Sequence, residues 1–93
     1  MELKKVKGKN RGQVMLYALS TCGWCRKTKS LLEELGVEFS YVDVDLLSAS
    51  EKKEIMKEVE KWNPQGSFPT LVIDRGRCIV GFKDDQIREA LGE

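Results

Sequence analysis

Cys22 and Cys25, separated by Gly23 and Trp24, are the residues of this chain whose type and spacing can do chemistry most directly. A Cys-x-x-Cys pair with a strand leading in and a helix leading out sets the first thiol among unpaired N–H groups at the positive end of a helix dipole. That setting favours thiolate, the species that attacks a disulfide. Arg26 and Lys27 add positive charge in the same stretch. The spacing also separates two roles. Cys25 shares a helical face with Leu32 and Leu35 and is expected to be buried, whereas Cys22 at the helix entrance is expected to be exposed. Cys22 then attacks and forms a mixed disulfide, and Cys25 resolves it, leaving a Cys22–Cys25 disulfide. Gly23 allows a partner close, and Trp24 offers an apolar contact at the rim. Two other readings stand beside this one. The pair could be half of a zinc site, or two core cysteines with no chemistry. A closed zinc site wants four ligands. The chain has no His and one further cysteine, Cys78 on an expected strand, so no metal site is expected.

The elements that would hold this pair can be read on either side of it. Residues 13–19 (QVMLYAL) form a nearly continuous apolar run, the pattern of a strand buried on both faces. After the cysteines, Thr28, Leu32 and Leu35 continue the helical stripe, and Gly36 is a natural stop. Residues 37–44 alternate enough for a second strand. Ser48-Ala49-Ser50-Glu51 reads as a capping box opening a second helix with Ile55, Val59 and Trp62 inward, and Asn63-Pro64 ends it. Residues 69–74 and 78–82, with a turn at Arg75-Gly76, read as a β-hairpin. Asp84 or Asp85 starts a last helix carrying Ile87 and Leu91. The predicted order is β-α-β-α-β-β-α: an α/β fold with a four-stranded mixed sheet flanked by helices. Leu3–Val6 could add a fraying extra strand.

Ninety-three residues, 41% of them apolar, suit one domain. Residues 1–12 form a basic N-terminal arm with five Lys/Arg against one acid. Residues 13–93 carry eleven Lys/Arg and fourteen Asp/Glu. The arm is read as a solvated tail, and residues 13–93 as the domain. No basic face with interleaved aromatics supports nucleic-acid binding, and no apolar run reaches the ~18 residues of a membrane span. The basic start lacks a following apolar region and cleavage site, so it is not read as a signal peptide. Three cysteines, an odd count, argue against a disulfide-stapled secreted scaffold and for a reducing, cytoplasmic setting. A monomer is expected.

Three separated signatures are similar to the glutaredoxin branch of the thioredoxin superfamily over roughly residues 13–92. They are Cys22-Gly23-Trp24-Cys25 after a strand, Ser67-Phe68-Pro69-Thr70 before the third strand, and Gly81-Phe82-Lys83-Asp84-Asp85 after the fourth. The resemblance implies a thioredoxin-like fold and a cofactor-free thiol–disulfide oxidoreductase reducing protein disulfides. It implies a cis Pro69 facing the site, with the Phe68 backbone offered to an extended substrate. Besides Gly23 and Trp24, it implies substrate contacts at Phe68, Pro69, Thr70, Gly81, Phe82, Asp84 and Asp85. Three departures bear on the electron donor. Leu16 stands where thioredoxins carry a buried Asp, Leu19 where glutaredoxins often carry Lys, and Phe82 where the second glycine of a Gly-Gly pair is common. The pattern is closer to the glutaredoxin-like redoxins that donate electrons to ribonucleotide reductase, which are commonly recharged by a flavin-dependent thioredoxin reductase. A glutathione-dependent glutaredoxin and an iron–sulfur cluster carrier using Cys22 are the alternatives. Cys78 reads as a small hydrophobe on a strand, with oxidation or dimerisation as its other uses.

Overall fold

The computed structural model describes residues 3–92. Five strands and three α-helices follow in order: β1 (Lys4–Val6), β2 (Val14–Ala18), α1 (Gly23–Glu34), β3 (Phe39–Asp43), a 3-10 turn (Val44–Leu46), α2 (Ala49–Trp62), β4 (Thr70–Ile73), β5 (Arg77–Val80) and α3 (Asp84–Leu91). The sheet order is β1-β3-β2-β4-β5. β2 and β3 are parallel, paired from Met15↔Ser40 to Ala18↔Asp43. β4 runs antiparallel to β2, and β5 to β4.

The sheet has five strands: the four expected and, over Lys4–Val6, the extra one that Leu3–Val6 was read as able to add. β1 pairs antiparallel with β3 through Lys4↔Tyr41 and Val6↔Phe39. The basic arm is therefore attached to the sheet and is not a solvated tail. Lys9 bridges Val37, and its backbone exchanges bonds with Gly36 O and Glu38 N, both 2.8 Å. Gly8 permits this approach, since a β-carbon there would lie 2.6 Å from the Val37 carbonyl carbon. Gln13 N then donates to Asp74 Oδ1 at 2.7 Å, tying the arm's end to the β4–β5 turn. The lysine side chains of the arm remain exposed.

Two cores lie on the two faces of the sheet. Leu16 and Ala18 of β2 pack with Cys25, Leu31 and Leu32 of α1 and with Ile87 and Leu91 of α3. Tyr17, Val42 and Val72 pack against Ile55 and Val59 of α2 on the other face. Leu31 lines the core where Leu35 was expected, and Leu35 is only partly buried. α1 ends in a Schellman motif, with Gly36 at φ +69°, Gly36 N donating to Glu33 O and Val37 N to Leu32 O. The capping box of α2 forms as read: Ser48 Oγ accepts from Glu51 N, and the Glu51 carboxylate accepts from Ser48 N. Among the described residues no helix is long and apolar enough to cross a membrane.

Candidate active site

The strand directions bring four chain segments to one end of the sheet. β2 and β3 both finish there because they are parallel. β4 starts there because Thr70 pairs with Tyr17, and β5 finishes there because Val80 pairs with Thr70. The loops leaving and entering these ends carry Cys22, Phe68–Pro69 and Gly81–Phe82. Both α1 and α3 present their N-termini on the same side.

Cys22 caps α1. Its backbone is extended, and its sulfur accepts the Cys25 N–H at 3.2 Å. A cap of this kind fills the role usually taken by Ser or Asp, and it aims the sulfur at otherwise unpaired N–H groups. Cys22 is partly rather than fully exposed, because it packs against the α1/α3 core. Cys25 is fully buried, as expected. Burial, and then the hydrogen bond its thiol makes with Cys22, push Cys25 up to about 12. The reduced pair is therefore asymmetric, with an accessible sulfur resting beside a thiol that keeps its proton. All three cysteines are free thiols.

Beneath Cys25, one turn further along α1, Lys29 Nζ pairs with Asp43 Oδ1 at 3.0 Å, both side chains largely buried. The ammonium also lies 4.2 Å from the Tyr41 ring centroid. Its charge opposes the rise at Cys25. Sequence reading missed this pair, although Lys29 at i+4 from Cys25 places the two residues on one helical face.

The rim is mostly where the sequence put it. A β-carbon at Gly23 would meet nothing within 4 Å, so the space over the helix start is open. Trp24 is 58% exposed. Its ring stacks on Phe82, centroids 6.0 Å apart, and Lys27 Nζ stands 4.7 Å from its centroid. The Phe68–Pro69 bond is cis. Gly81, at φ +82°, donates its N–H to Pro69 O at 2.8 Å and so joins the β5 exit to the proline loop.

Two expected contacts are placed differently. Thr70 is fully buried, and its hydroxyl turns inward, donating to Ser67 O at 2.8 Å and accepting from Asn63 Nδ2 at 3.2 Å. Its side chain supports the loop instead of meeting substrate. Asp84 is engaged by Arg88 Nε at 2.8 Å, and Arg88 also reaches Glu34 at 2.8 Å. Asp85 is exposed at the same helix start. Asn63 is a residue that sequence reading took only as a helix end. It is buried, and its amide also donates to Ser67 O and Ser67 Oγ while its carbonyl accepts from Gln65 N. This network shapes residues 63–70. Cys78 sits half-buried on β5, its thiol pushed up by burial. Among the described residues no three metal-ligating side chains cluster.

The glutaredoxin family model matches residues 14–79. The chain is 35% identical over 74 residues to an uncharacterized glutaredoxin-like 8.6 kDa protein in the rubredoxin operon of Clostridium pasteurianum, covering 80% of this chain and 91% of that protein. Two solved structures are similar throughout. Methanoredoxin from Methanosarcina acetivorans is 55% identical with a TM-score of 0.89, covering 92% of this chain and 90% of that one. A glutaredoxin from Methanosarcina mazei Go1 is 50% identical with a TM-score of 0.91, covering 100% and 90%.

Proposed function

The chain belongs to the glutaredoxin family of redox proteins, and from that premise we propose that it reduces protein disulfides through Cys22 and Cys25, recharged by an enzymatic donor of the thioredoxin-reductase type. The observation that carries this reading is the asymmetry of the pair: Cys22 sulfur is accessible and held by the Cys25 N–H, while the Cys25 thiol is buried and protonated.

Cys22 thiolate attacks one sulfur of a substrate disulfide. The first substrate thiolate leaves and takes up a proton, and a Cys22–substrate disulfide remains. Cys25 then loses its proton and attacks Cys22 Sγ. The second substrate thiol departs, and a Cys22–Cys25 disulfide is left. The substrate has gained two electrons and two protons, and the donor must return both to the chain. No resident cofactor is needed, since the dithiol itself carries the electrons. The Lys29 ammonium favours the ionised form that Cys25 must pass through in the second step.

Trp24, Phe82 and Phe68 supply an apolar rim for a protein substrate, with the open space over Gly23 admitting its backbone. A tripeptide donor such as glutathione fits less well. Its carboxylates need cations, and Leu19 is a half-buried side chain packed toward α2. Its amino group needs an available carboxylate, and with Asp84 already held by Arg88 only the exposed Asp85 is left at that helix start. The chemistry suits a reducing compartment such as the cytoplasm.

The test is reduction of the oxidised protein by a thioredoxin reductase and, separately, by millimolar glutathione, with insulin as the disulfide substrate. The reductase should sustain turnover and glutathione should do so poorly. Cys22→Ser should abolish turnover, and Cys25→Ser should accumulate a mixed disulfide at Cys22 visible by mass spectrometry. Rapid glutathione-driven turnover without any from the reductase would reverse the donor assignment. Full activity in Cys22→Ser would overturn the mechanism.

A further inference from the structure

Four residues, 19–22, join β2 to α1 and carry the nucleophile. Within that stretch the backbone makes one bond of its own, Cys22 N to Leu19 O, at a long 3.2 Å. The second restraint comes from far along the chain. The Asp45 carboxylate accepts the Ser20 N–H at 2.8 Å through Oδ1, and the Ser20 hydroxyl through Oδ2. Both carboxylate oxygens are thus committed to one residue, two positions before Cys22.

Asp45 is itself well anchored. Parallel pairing of Ala18 with Asp43 sets the ends of β2 and β3 side by side. The chain then turns through the 3-10 segment, closed by Leu47 N donating to Val44 O. Val44 is buried in the α2 core, which anchors the backbone beside the exposed Asp45. The bonds from Ser20, with Lys52 adding positive charge, hold the Asp45 carboxyl below its ordinary value. It is ionised throughout the working range, and bonds to an ionised acceptor are short and strong.

We propose that Asp45 is a positioning residue for Cys22, gripping the Ser20 amide and hydroxyl so that the turn aims the Cys22 sulfur at the helix N-terminus and outward to substrate. An exposed carboxylate on a surface turn contributes little to global stability. Misplacing a reacting sulfur does affect rate, at a cost that can reach ~100-fold for a shift of about 1 Å. The inference rests on the proposed disulfide reduction, and its test carries a readout that does not.

Asp45→Ala, Asp45→Asn and Ser20→Ala are compared with the wild type in two measurements. The first is rapid-mixing reduction of a peptide disulfide by the reduced protein, whose concentration dependence separates the maximal rate from half-saturation. The second is amide hydrogen exchange. In Asp45→Ala the maximal rate should fall on the order of tenfold, with half-saturation moving less than about twofold. Its Ser20 and Cys22 amides should exchange faster while the sheet amides do not. Asp45→Asn keeps a carbonyl oxygen for the Ser20 N–H and should recover to within about threefold of the wild type. Ser20→Ala loses one of the two bonds and should fall between, and adding it to Asp45→Ala should change nothing further. A wild-type rate or unchanged exchange in Asp45→Ala would overturn the proposal. So would an equal fall in Asp45→Ala and Asp45→Asn with Ser20→Ala unaffected, which would make charge the cause. If Asp45→Ala fails to fold, exchange in the other two variants decides. If the wild type reduces no disulfide at all, the proposed function falls, and the exchange rates still test the grip.

Discussion

The proton held by Cys25 should make the stability of the reduced protein depend on pH in a defined window. Burial first, and the Cys22 hydrogen bond second, raise this thiol from an ordinary 9.0 to about 12. Above pH 9 the unfolded chain sheds the proton while the folded chain keeps it. A state that binds the extra proton gains stability as pH falls and loses it as pH rises. The contribution is therefore fully present below about pH 9 and drains away as pH climbs toward about 12. Inside that window the slope is about 1.4 kcal/mol per pH unit. Because Cys25 is 0% exposed, screening by solvent does not reduce this. With partial titration at the lower edge, the loss between pH 9 and pH 11 comes to about 2 kcal/mol. The assay is urea denaturation of fully reduced protein at several values from about pH 7 to pH 11, alongside Cys25→Ala. Lysines and tyrosines titrate in both proteins and cancel in the difference. At neutral pH the wild type should be the more stable, and its advantage should shrink by about 2 kcal/mol at the alkaline end. An advantage that stays constant to pH 11 would refute a buried, protonated Cys25.

Asn63→Ala removes a buried amide that serves Ser67, Thr70 and Gln65. Denaturation should show a loss of about 2–3 kcal/mol, because the partners are left unsatisfied inside the loop; a change below about 0.5 kcal/mol would show that water replaces the side chain. Trp24→Ala should barely move the urea midpoint, since the ring is more than half exposed and its ring contacts are with Phe82 and the Lys27 ammonium at the surface. Half-saturation by a protein disulfide should rise on the order of tenfold, while reduction of a small disulfide such as hydroxyethyl disulfide stays near wild type. Equal effects on both substrates would remove Trp24 from the docking rim.

The main features of the site were legible because they are local. Cys-x-x-Cys between an apolar run and an amphipathic stripe is a short-range pattern, and so is the Ser48–Glu51 capping box. Stepwise burial along α1 put Cys25 inside without any knowledge of what it packs against. The Asp74–Gly76 turn was found one residue late. Asp74 and Arg75 adopt positive φ, +53° and +56°, and a left-handed Asp is held there by its side-chain bond to Gln13 N. What escaped the sequence depends on pairing across long separations. Lys4–Val6 was legible only as an optional fraying strand, and what the sequence did not show is that Gly8 and Lys9 bring the arm onto residues 36–38 and so fix it to the sheet. Ser20 meets Asp45, and Lys29 meets Asp43, because β2 and β3 run parallel in one register; a shift of one residue would turn the Asp43 carboxylate to the opposite face of the sheet. Thr70 turns inward because Asn63, seven residues back at the end of α2, waits there with a donor. Propensity and periodicity act over a few residues, whereas which polar group answers which is settled only when the sheet is assembled.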